Sequence, residues 1–558
     1  MRNWRLIFVL LAALSALALV FSGCAGKGVV RTTPQAATQT VKPAATTTAT
    51  PAPTGPSGQL RVALGTFGEE RFYPPSASTT NLWSILGPMY DWMFRLKGQD
   101  LTPGIIEKWA MAPDGLSWTY NVQKGVKWHN GDNLTARDVS FTIDRYRAPD
   151  ALHVYLKQMV DRVEIVDDYT LRIFTKGVQP YLPNMSTLHD PADGAVLPKD
   201  YFERVGMEKF QLSPVGSGPF KFVSHAPGDS VIFEAVDKHW RQTPAFKKLS
   251  LILMPEEATR IAALKTASVD IVEVGLEGAN QVEAAGLKAI NLDVMIPWMT
   301  IWGSYSPKVA GTPIADVRVR QALSLAINRE EIGKTFFRGK YTLPYVAGFP
   351  EGAADLDLAS WKSYAAKAYR YDPEEAKRLL KEAGYANGFS MKLYTFAMSG
   401  APYLPQLGEI VSGYWAKIGA TVQPTPVDYG GVFRGWSLGL TEPKPELLGQ
   451  ASVWRLTNNP VTTKNLTATF SGTTRTMALL GTAKPDLDKL ISDAMSEPDT
   501  VKRRGMLAKA MQAAADSWVV LPITSVPVTA ALGPGVSIDF PQPAISLVFH
   551  LELAKHTK

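Results

Sequence analysis

The chain has 558 residues, a formal net charge of +7 and one cysteine, Cys24. Five of its 58 Lys and Arg residues precede Gln59 and no acidic residue does, so the part that follows carries 53 basic against 51 acidic side chains, a net of +2. This balance gives no electrostatic basis for binding nucleic acid. Without cysteine, that part cannot form disulfides or thiolate metal sites or use cysteine catalysis. It is long enough for two or more lobes, each with its own core.

The first 24 residues have the composition of an export signal. Arg2 and Arg5 precede an apolar run over residues 6–21, and Cys24 follows Ser22 and Gly23. This pattern is typical of a secretory signal peptide, and the run is shorter than the roughly 20 residues that a membrane-spanning helix needs. A cysteine after small residues is similar to the lipobox of bacterial lipoproteins, where the thiol is acylated. We therefore expect residues 1–24 to be a lipoprotein signal peptide and Cys24 to be lipidated, with ordinary secretion as the alternative.

Residues 25–58 consist almost entirely of Ala, Thr, Pro, Gly, Gln and Ser, without an aromatic or acidic residue. Such a segment cannot bury enough apolar surface to offset the entropy of ordering it. We expect it to be a disordered tether between the anchor and a globular body.

The body begins with an alternating run at residues 60–64, which predicts a strand. Further strands are predicted at residues 118–122, 169–175, 231–235 and 249–254. Strands that alternate with helices indicate an α/β fold.

Three helices have readable starts. Thr135 with Asp138 three residues later forms a capping pair for a helix that runs through Tyr146. Asp316 precedes an apolar face with helical spacing. Asp372, followed by a proline and two glutamates, predicts another helix start. The members of the two apolar faces are Val319, Ala322, Leu323, Ala326 and Ile327 in the first, and Ala376, Leu379, Leu380 and Ala383, closed by Gly384, in the second.

Several segments, taken in order, resemble the extracytoplasmic solute-binding proteins of the peptide/nickel/opine family of ABC importers. The most specific block spans residues 101–109, 113–120, 124–132 and 134–139, and later matches lie at 215–220, 227–229, 237–240, 316–322 and 371–389. The resemblance implies an α/β, two-lobed periplasmic-binding-protein-like fold of type II, in the large peptide-binding subclass, with two hinge crossings. The first crossing is expected near residues 295–304 and the second near 518–525.

On this basis residues 59–298 and 515–558 form the predicted lobe I and residues 299–514 the predicted lobe II. The resemblance further implies that a peptide or peptide-like small molecule is captured in the interlobe cleft. The expected partners are an ABC permease and its ATPase, the expected state is a monomer anchored outside the cytoplasm, and no cofactor is expected. A bound solute would close the lobes about the crossing strands.

Candidate ligand-binding residues come from loops that the resemblance brings to the cleft. An aromatic ring there could stack on the solute. Peptide binders of the family carry a stretch in this region whose first acid can pair with a peptide's α-amino group, but the nearest match here, residues 454–460, has no acid. The cation at Arg455 favours a carboxylate or another anion instead. Each aromatic residue could instead be core, Ser217 could belong to a plain turn, and the two acids could be solvated. The candidates are Phe67, Glu69, Glu70, Ser217, Trp302, Tyr305, Trp436, Trp454 and Arg455.

Other functions remain open at this point. An enzyme is the first alternative: the seven histidines include no pair four residues apart and no serine lies in a G-x-S-x-G elbow, but carboxylates are plentiful. A ligand-binding sensor or surface adhesin would share the same fold. Another solute, such as an oligosaccharide, an opine or a metal held by a small chelator, is a variant within the family.

Overall fold

The structure is a computed structural model, and it describes residues 55–77, 82–98, 100–152, 155–187, 193–345, 349, 357–398, 400–438, 440, 442–457, 462–472, 477, 479–541 and 546–557. The predicted signal peptide with Cys24, nearly all of the predicted tether, and residues 458–460 lie outside this set.

The described chain alternates between strands and helices. The strands are β1 (Gln59–Leu64), β2 (Phe94–Lys97), β3 (Asp100–Pro103), β4 (Ile106–Met111), β5 (Ser117–Val122), β6 (Val160–Asp167), β7 (Thr170–Thr175), β8 (Phe220–Ala226), β9 (Ser230–Ala235), β10 (Lys248–Leu253), β11 (Ile271–Val274), β12 (Lys288–Ile301), β13 (Phe389–Thr395), β14 (Ala420–Pro426), β15 (Ala451–Thr457), β16 (Val520–Pro522), β17 (Val526–Leu532), β18 (Val536–Ser537) and β19 (Lys555–His556).

The α-helices are α1 (Ala136–Arg147), α2 (Tyr155–Met159), α3 (Lys199–Leu212), α4 (Glu257–Lys265), α5 (Leu276–Ala284), α6 (Val317–Leu325), α7 (Arg329–Thr335), α8 (Leu358–Ala368), α9 (Pro373–Glu382), α10 (Leu404–Ala416), α11 (Arg434–Ser437), α12 (Thr462–Phe470), α13 (Pro485–Ser496) and α14 (Thr500–Ala515). Short 3₁₀ or π turns lie at Pro74–Ser76, Leu82–Leu86, Leu182–Ser186, Pro307–Val309, Pro313–Ala315, Tyr429–Phe433 and Leu551–Leu553.

One 11-stranded sheet runs through the whole body, in the order β14-β13-β15-β12-β17-β11-β1-β10-β9-β8, with β16 beside β12. The long strand β12 connects its two parts. Residues 288–295 of β12 pair with β17, and residues 295–301 pair with β15. The strands beyond β17 form the sheet of a first lobe, and β13, β14 and β15 form that of a second lobe.

A separate four-stranded sheet, β4-β5-β7-β6, belongs to the first lobe and has its own apolar core. Trp118, Tyr120, Leu171 and Ile173 on its central strands are buried in this core. Helix α1 lies against it with Val139 and Ile143. This second core was not predicted from the sequence.

The strands and helix starts predicted from the sequence are confirmed, whereas the apolar face predicted through Ile327 extends beyond α6, which ends at Leu325. All five predicted strands lie within one residue of β1, β5, β7, β9 and β10. The helix start at Thr135 is a capping box, in which the Thr135 N–H donates to Asp138 Oδ2 at 2.9 Å. Asp316 and Asp372 cap α6 and α9 by accepting the N–H groups of Arg318 and Glu375. Local cap chemistry therefore fixed these helix starts.

Candidate functional site

The direction and register of the strands bring two sheet edges to face each other. In the first lobe β1 is parallel to β10 and β11, and in the second lobe β13 is parallel to β14 and β15. Val274, the last residue of β11, and Asn291 of β12 both pair with Thr529 of β17, so the two residues lie at the same level of the sheet. The last residue of β15 is level with Met295 of β12. The carboxyl ends of both sets of parallel strands thus meet across residues 291–295 of β12.

Ligands of open α/β sheets bind outside the carboxyl ends of the strands. The space between these two carboxyl edges is therefore the candidate site, and β12 is its hinge. A β-bulge between Asn291 and Asp293 lies at the same level of β12. Bulges bend a strand and increase its local twist, which suits the point where two lobes meet.

The loop after β1 forms the first-lobe edge and contains three predicted site residues. Phe67 is buried in the main core, and Glu69 is exposed. Glu70 has a left-handed backbone, with φ of 54°, and its carboxylate accepts His225 Nε2 at 2.5 Å and the N–H of Gly228 at 3.1 Å. Glu70 therefore fixes the loop to the β8–β9 hairpin.

The second-lobe edge consists of aromatic rings around Trp454, the middle residue of β15. The ring of Trp454 lies 6.0 Å from Phe396, 5.7 Å from Tyr429 and 6.1 Å from Phe433, between ring centroids. Phe396 directly follows β13, and Tyr429 follows β14 by three residues. Three parallel strands thus deliver aromatic side chains to one edge.

Arg455, next to Trp454, is half-buried and carries the positive charge of this edge. Burial raises the pKa of the Tyr403 and Tyr429 hydroxyls, and the charge of Arg455 opposes that rise at both. Arg434 acts on Tyr429 in the same direction. Arg455 therefore makes the surroundings of both tyrosines electropositive, and Arg434 adds to this at Tyr429.

The backbone of Trp302 lies beside the amino end of β15, but its ring joins the aromatic cluster, with its centroid 6.1 Å from Trp454 and 5.8 Å from Phe433. The N–H of Trp302 donates to Gln450 O, just before the amino end of β15. The Trp302 side chain is 0% exposed, and its Nε1 donates to Ser452 Oγ at 2.9 Å. This burial favours core packing, the alternative that the sequence left open.

The rings of Tyr305 and Trp436 are engaged with other side chains. The Tyr305 hydroxyl accepts Arg320 Nη2 at 3.2 Å, and Lys484 Nζ lies 4.0 Å from its ring centroid. The Trp436 ring lies 5.6 Å from that of Tyr394 and 6.3 Å from that of Phe433. Both residues therefore help to hold the second lobe together.

Ser217 belongs to a buried polar network in the first lobe. Its hydroxyl donates to Asp91 Oδ2 at 3.2 Å, and Asp91 also accepts Trp240 Nε1 at 2.8 Å and Arg241 Nη2 at 3.2 Å. Burial acts to raise the pKa of Asp91, but the hydrogen bond from His239 and the charge of Arg241 lower it to about 2. The backbone and hydroxyl of Ser217 are thus in use inside the lobe.

Arg241 connects this network to the C-terminal tail by an ion pair with Glu552 at 2.5 Å. Burial acts to raise the pKa of Glu552, but the charge of Arg241 holds it well below the usual range. The network thereby fixes the tail to the first lobe.

Of the predicted residues, the structure thus places Phe67, Glu69 and Glu70 in the loop of the first-lobe edge, Trp454 and Arg455 on β15, and the Trp302 ring against Trp454. The sequence analysis did not name Phe396, Tyr403, Tyr429 and Phe433. Their position in the segments that follow β13 and β14 is the signal that could have found them, had those strands been predicted. Within the described residues, no three His, Cys, Asp or Glu side chains converge in a way that could hold a metal ion.

A family model for the bacterial extracellular solute-binding proteins, family 5, matches residues 100–475, which is more than half of the chain. The chain belongs to this family. The family consists of binding proteins, so the protein is a solute-binding protein rather than an enzyme.

Two relatives and one solved structure show the range of similarity. The dipeptide-binding protein of Escherichia coli is 29% identical over 381 residues, which cover 62% of this chain and 67% of that protein. Heme-binding protein A of Haemophilus influenzae is 28% identical over 364 residues, covering 60% of this chain and 63% of that protein.

The periplasmic binding protein DppA of Helicobacter pylori, solved with the peptide STSA, superposes with a TM-score of 0.74 at 20% identity and covers 90% of this chain and 99% of that one. This likeness confirms the predicted two-lobed α/β fold. None of the helices in the part of the chain that the structure describes is long and apolar enough to cross a membrane.

Proposed function

We propose that the protein captures a peptide or peptide-like small molecule between the two carboxyl edges and delivers it to an ABC import permease. The observation that carries the proposal is the opposition of these edges across the middle of β12. A solute that contacts both edges binds more tightly to the closed arrangement, because only there do both edges reach it. A shift from 1:99 to 99:1 in favour of closure takes about 5.5 kcal/mol of differential affinity.

The chemistry of the edges supports this solute class. Aromatic rings such as Tyr429 and Trp454 offer apolar contact area, and a few polar groups then fix the orientation of the ligand. Arg455 is suited to a carboxylate, which every unmodified peptide carries. Of the three compared proteins, one is named for a dipeptide, one was solved with a bound peptide, and the third is named for haem.

The predicted lobe boundaries at residues 298 and 515 remain part of this proposal, as does action as a monomer. Lipidation of Cys24 would hold the body at the outer face of the membrane, near the permease. Replacement of Cys24 by serine should move the protein from the membrane fraction to the soluble fraction. Retention in the membrane fraction would contradict this anchor.

Native mass spectrometry of the protein purified from its own source tests the proposal, since a retained solute can be weighed and identified. Binding should then be measured calorimetrically for that solute, or for a panel of dipeptides and their C-terminal amides. Arg455→Gln should weaken binding of the free acids at least tenfold, because a hydrogen bond to a charged group is worth about 1.5–3 kcal/mol. The amides should be affected much less.

Lys417→Gln is a matched control for the loss of one positive charge in the second lobe, on the exposed turn after α10. Equal losses for acids and amides, or for both variants, would remove Arg455 from the site. Turnover of the solute during the measurement would contradict the proposed function itself.

A further inference from the structure

The five residues Arg338–Thr342, which we name the strap, leave the second lobe after α7 and contact the first lobe. Arg338 Nη2 lies 2.7 Å from Glu277 Oε2, and Lys340 Nζ lies 3.5 Å from Glu283 Oε2. Both glutamates are on α5, which packs against β11 and β17 of the first lobe. Two basic residues of one lobe thus face two acidic residues of the other.

The far end of the strap is fixed to the second crossing between the lobes. Thr342 and Ser525 exchange both backbone hydrogen bonds, each 2.9 Å long. The Thr524 hydroxyl also donates to Thr342 O at 2.7 Å. Ser525 lies between β16, which pairs with the second-lobe part of β12, and β17, which pairs with the first-lobe part.

The near end of the strap is held against α7. The Gly339 N–H donates to Gly333 O at 2.9 Å, and the Tyr341 ring packs so closely on Gly333 that a Cβ there would lie 2.3 Å from it. Arg338 and Gly339 both have left-handed backbones, with φ of 50° and 77°. A non-glycine residue pays for this conformation, so surrounding contacts must maintain it.

We propose that the strap is an electrostatic latch, in which Arg338 and Lys340 hold α5 and thereby favour the present arrangement of the two lobes. The inference rests on the proposed function, because it requires lobes that rotate about β12. Since α7 moves with the second lobe and α5 with the first, that rotation stretches both ion pairs.

The pairs are partly exposed, with 37–59% of each side chain accessible. Exposed pairs are weak and are screened by salt. We therefore expect each pair to raise the ratio of the present lobe arrangement to the rotated one by a factor of about 2–5. High salt should remove this bias.

The opening equilibrium can be measured without a solute. The body has no cysteine, so spin labels at Leu212→Cys and Glu374→Cys, in full-length protein carrying Cys24→Ser, report one interlobe distance. Leu212 is 75% exposed at the end of α3, and the Glu374 side chain is 81% exposed on α9. Pulsed electron paramagnetic resonance then gives the distance distribution at 20 mM and at 500 mM salt.

The distance of the present lobe arrangement and that of the rotated arrangement should give two populations. At low salt, the charge-reversed strap (Arg338→Glu with Lys340→Glu) should increase the rotated population severalfold. The same change should appear in the unaltered strap at high salt. Adding Glu277→Lys and Glu283→Lys to the reversed strap should restore the original distribution. Lys334→Glu, which breaks a pair within α7, should have no effect.

An unchanged distribution in the reversed strap, failure of the restoring variant, or an equal effect of Lys334→Glu would each overturn the latch. Solute capture is measured separately by native mass spectrometry. A protein that retains its solute but shows no effect of the strap would contradict the latch alone.

Discussion

Acidification should destabilise the protein through one buried histidine, His129. Its Nε2 donates to Gly218 O at 2.8 Å, and its Nδ1 accepts the N–H of Gly216 at 3.3 Å. These contacts require a neutral ring, since a proton on Nδ1 would face the N–H of Gly216. Burial lowers the pKa of His129 from 6.5 to about 4, against the opposing effects of Gly218 O and Asp91.

The sign of the effect follows from this lowered pKa. As the pH falls below 6.5, the unfolded chain takes up a proton at His129 while the folded protein does not. The stabilisation is therefore complete above pH 6.5 and is lost progressively down to about pH 4. Each pH unit in this interval corresponds to about 1.4 kcal/mol, so the total loss is about 3 kcal/mol.

Urea unfolding, followed by tryptophan fluorescence at half-unit steps from pH 7.5 to 4, measures this loss. The glutamine in His129→Gln cannot titrate. From pH 7.5 to 4, the free energy of unfolding of this variant should therefore fall by about 3 kcal/mol less than that of the unaltered protein. The comparison cancels groups common to both proteins. Asp91, with a pKa of about 2, loses its contribution only below pH 3.8. Parallel profiles for the two proteins would refute the assignment to His129.

Three further changes test the packing described above. Trp302→Ala should lower the free energy of unfolding by about 3–5 kcal/mol, because the ring is fully buried; an unchanged melting temperature would return Trp302 to the list of site residues. Glu552→Gln should cost about 3 kcal/mol in urea unfolding, since it removes one member of the buried pair with Arg241; a loss below 1 kcal/mol would show that the pair is dispensable. Gly216→Ala should destabilise by at least about 1–3 kcal/mol, because its Cβ would lie 2.0 Å from a main-chain oxygen, whereas Gly430→Ala, with open space around it, should differ little in melting temperature.

Helix starts were predictable because their signals lie within a few residues of each other. Asp316 and Asp372 cap helices wherever the chain places them, since the capped N–H groups are their own neighbours. The end of α6 was less predictable. Its apolar face continues to Ile327, but the helix stops at Leu325 because Asn328 caps the next helix by accepting the N–H of Glu331.

The site residues could be predicted only in part, because their positions depend on pairing between distant strands. Trp302 and Trp454 look equivalent in the sequence, as each is a tryptophan at or beside a strand. The register of β12 with β15 pairs Ile301 with Ala451 and Met295 with Thr457. Trp302 therefore lies beside the amino end of β15, whereas Trp454 lies at its middle, level with Trp298 of β12. Their rings nevertheless come within 6.1 Å of each other. The paired residues Ile301 and Ala451 are 150 positions apart in the chain, so no local sequence pattern indicates the register of the two strands.

The cleft itself follows from strand direction. β15 is antiparallel to β12, whereas β11 runs in the same direction as β12 because both are antiparallel to β17. β11 and β15 thus run in opposite directions. Because β11 is level with the first half of β12 and β15 pairs with the second half, their carboxyl ends approach each other. If the two halves were exchanged, the amino ends would meet instead, and the loop with Glu69 and the carboxyl half of β15 with Arg455 would point away from each other. A single long strand with two partners therefore suffices to bring both sets of loops to one solute.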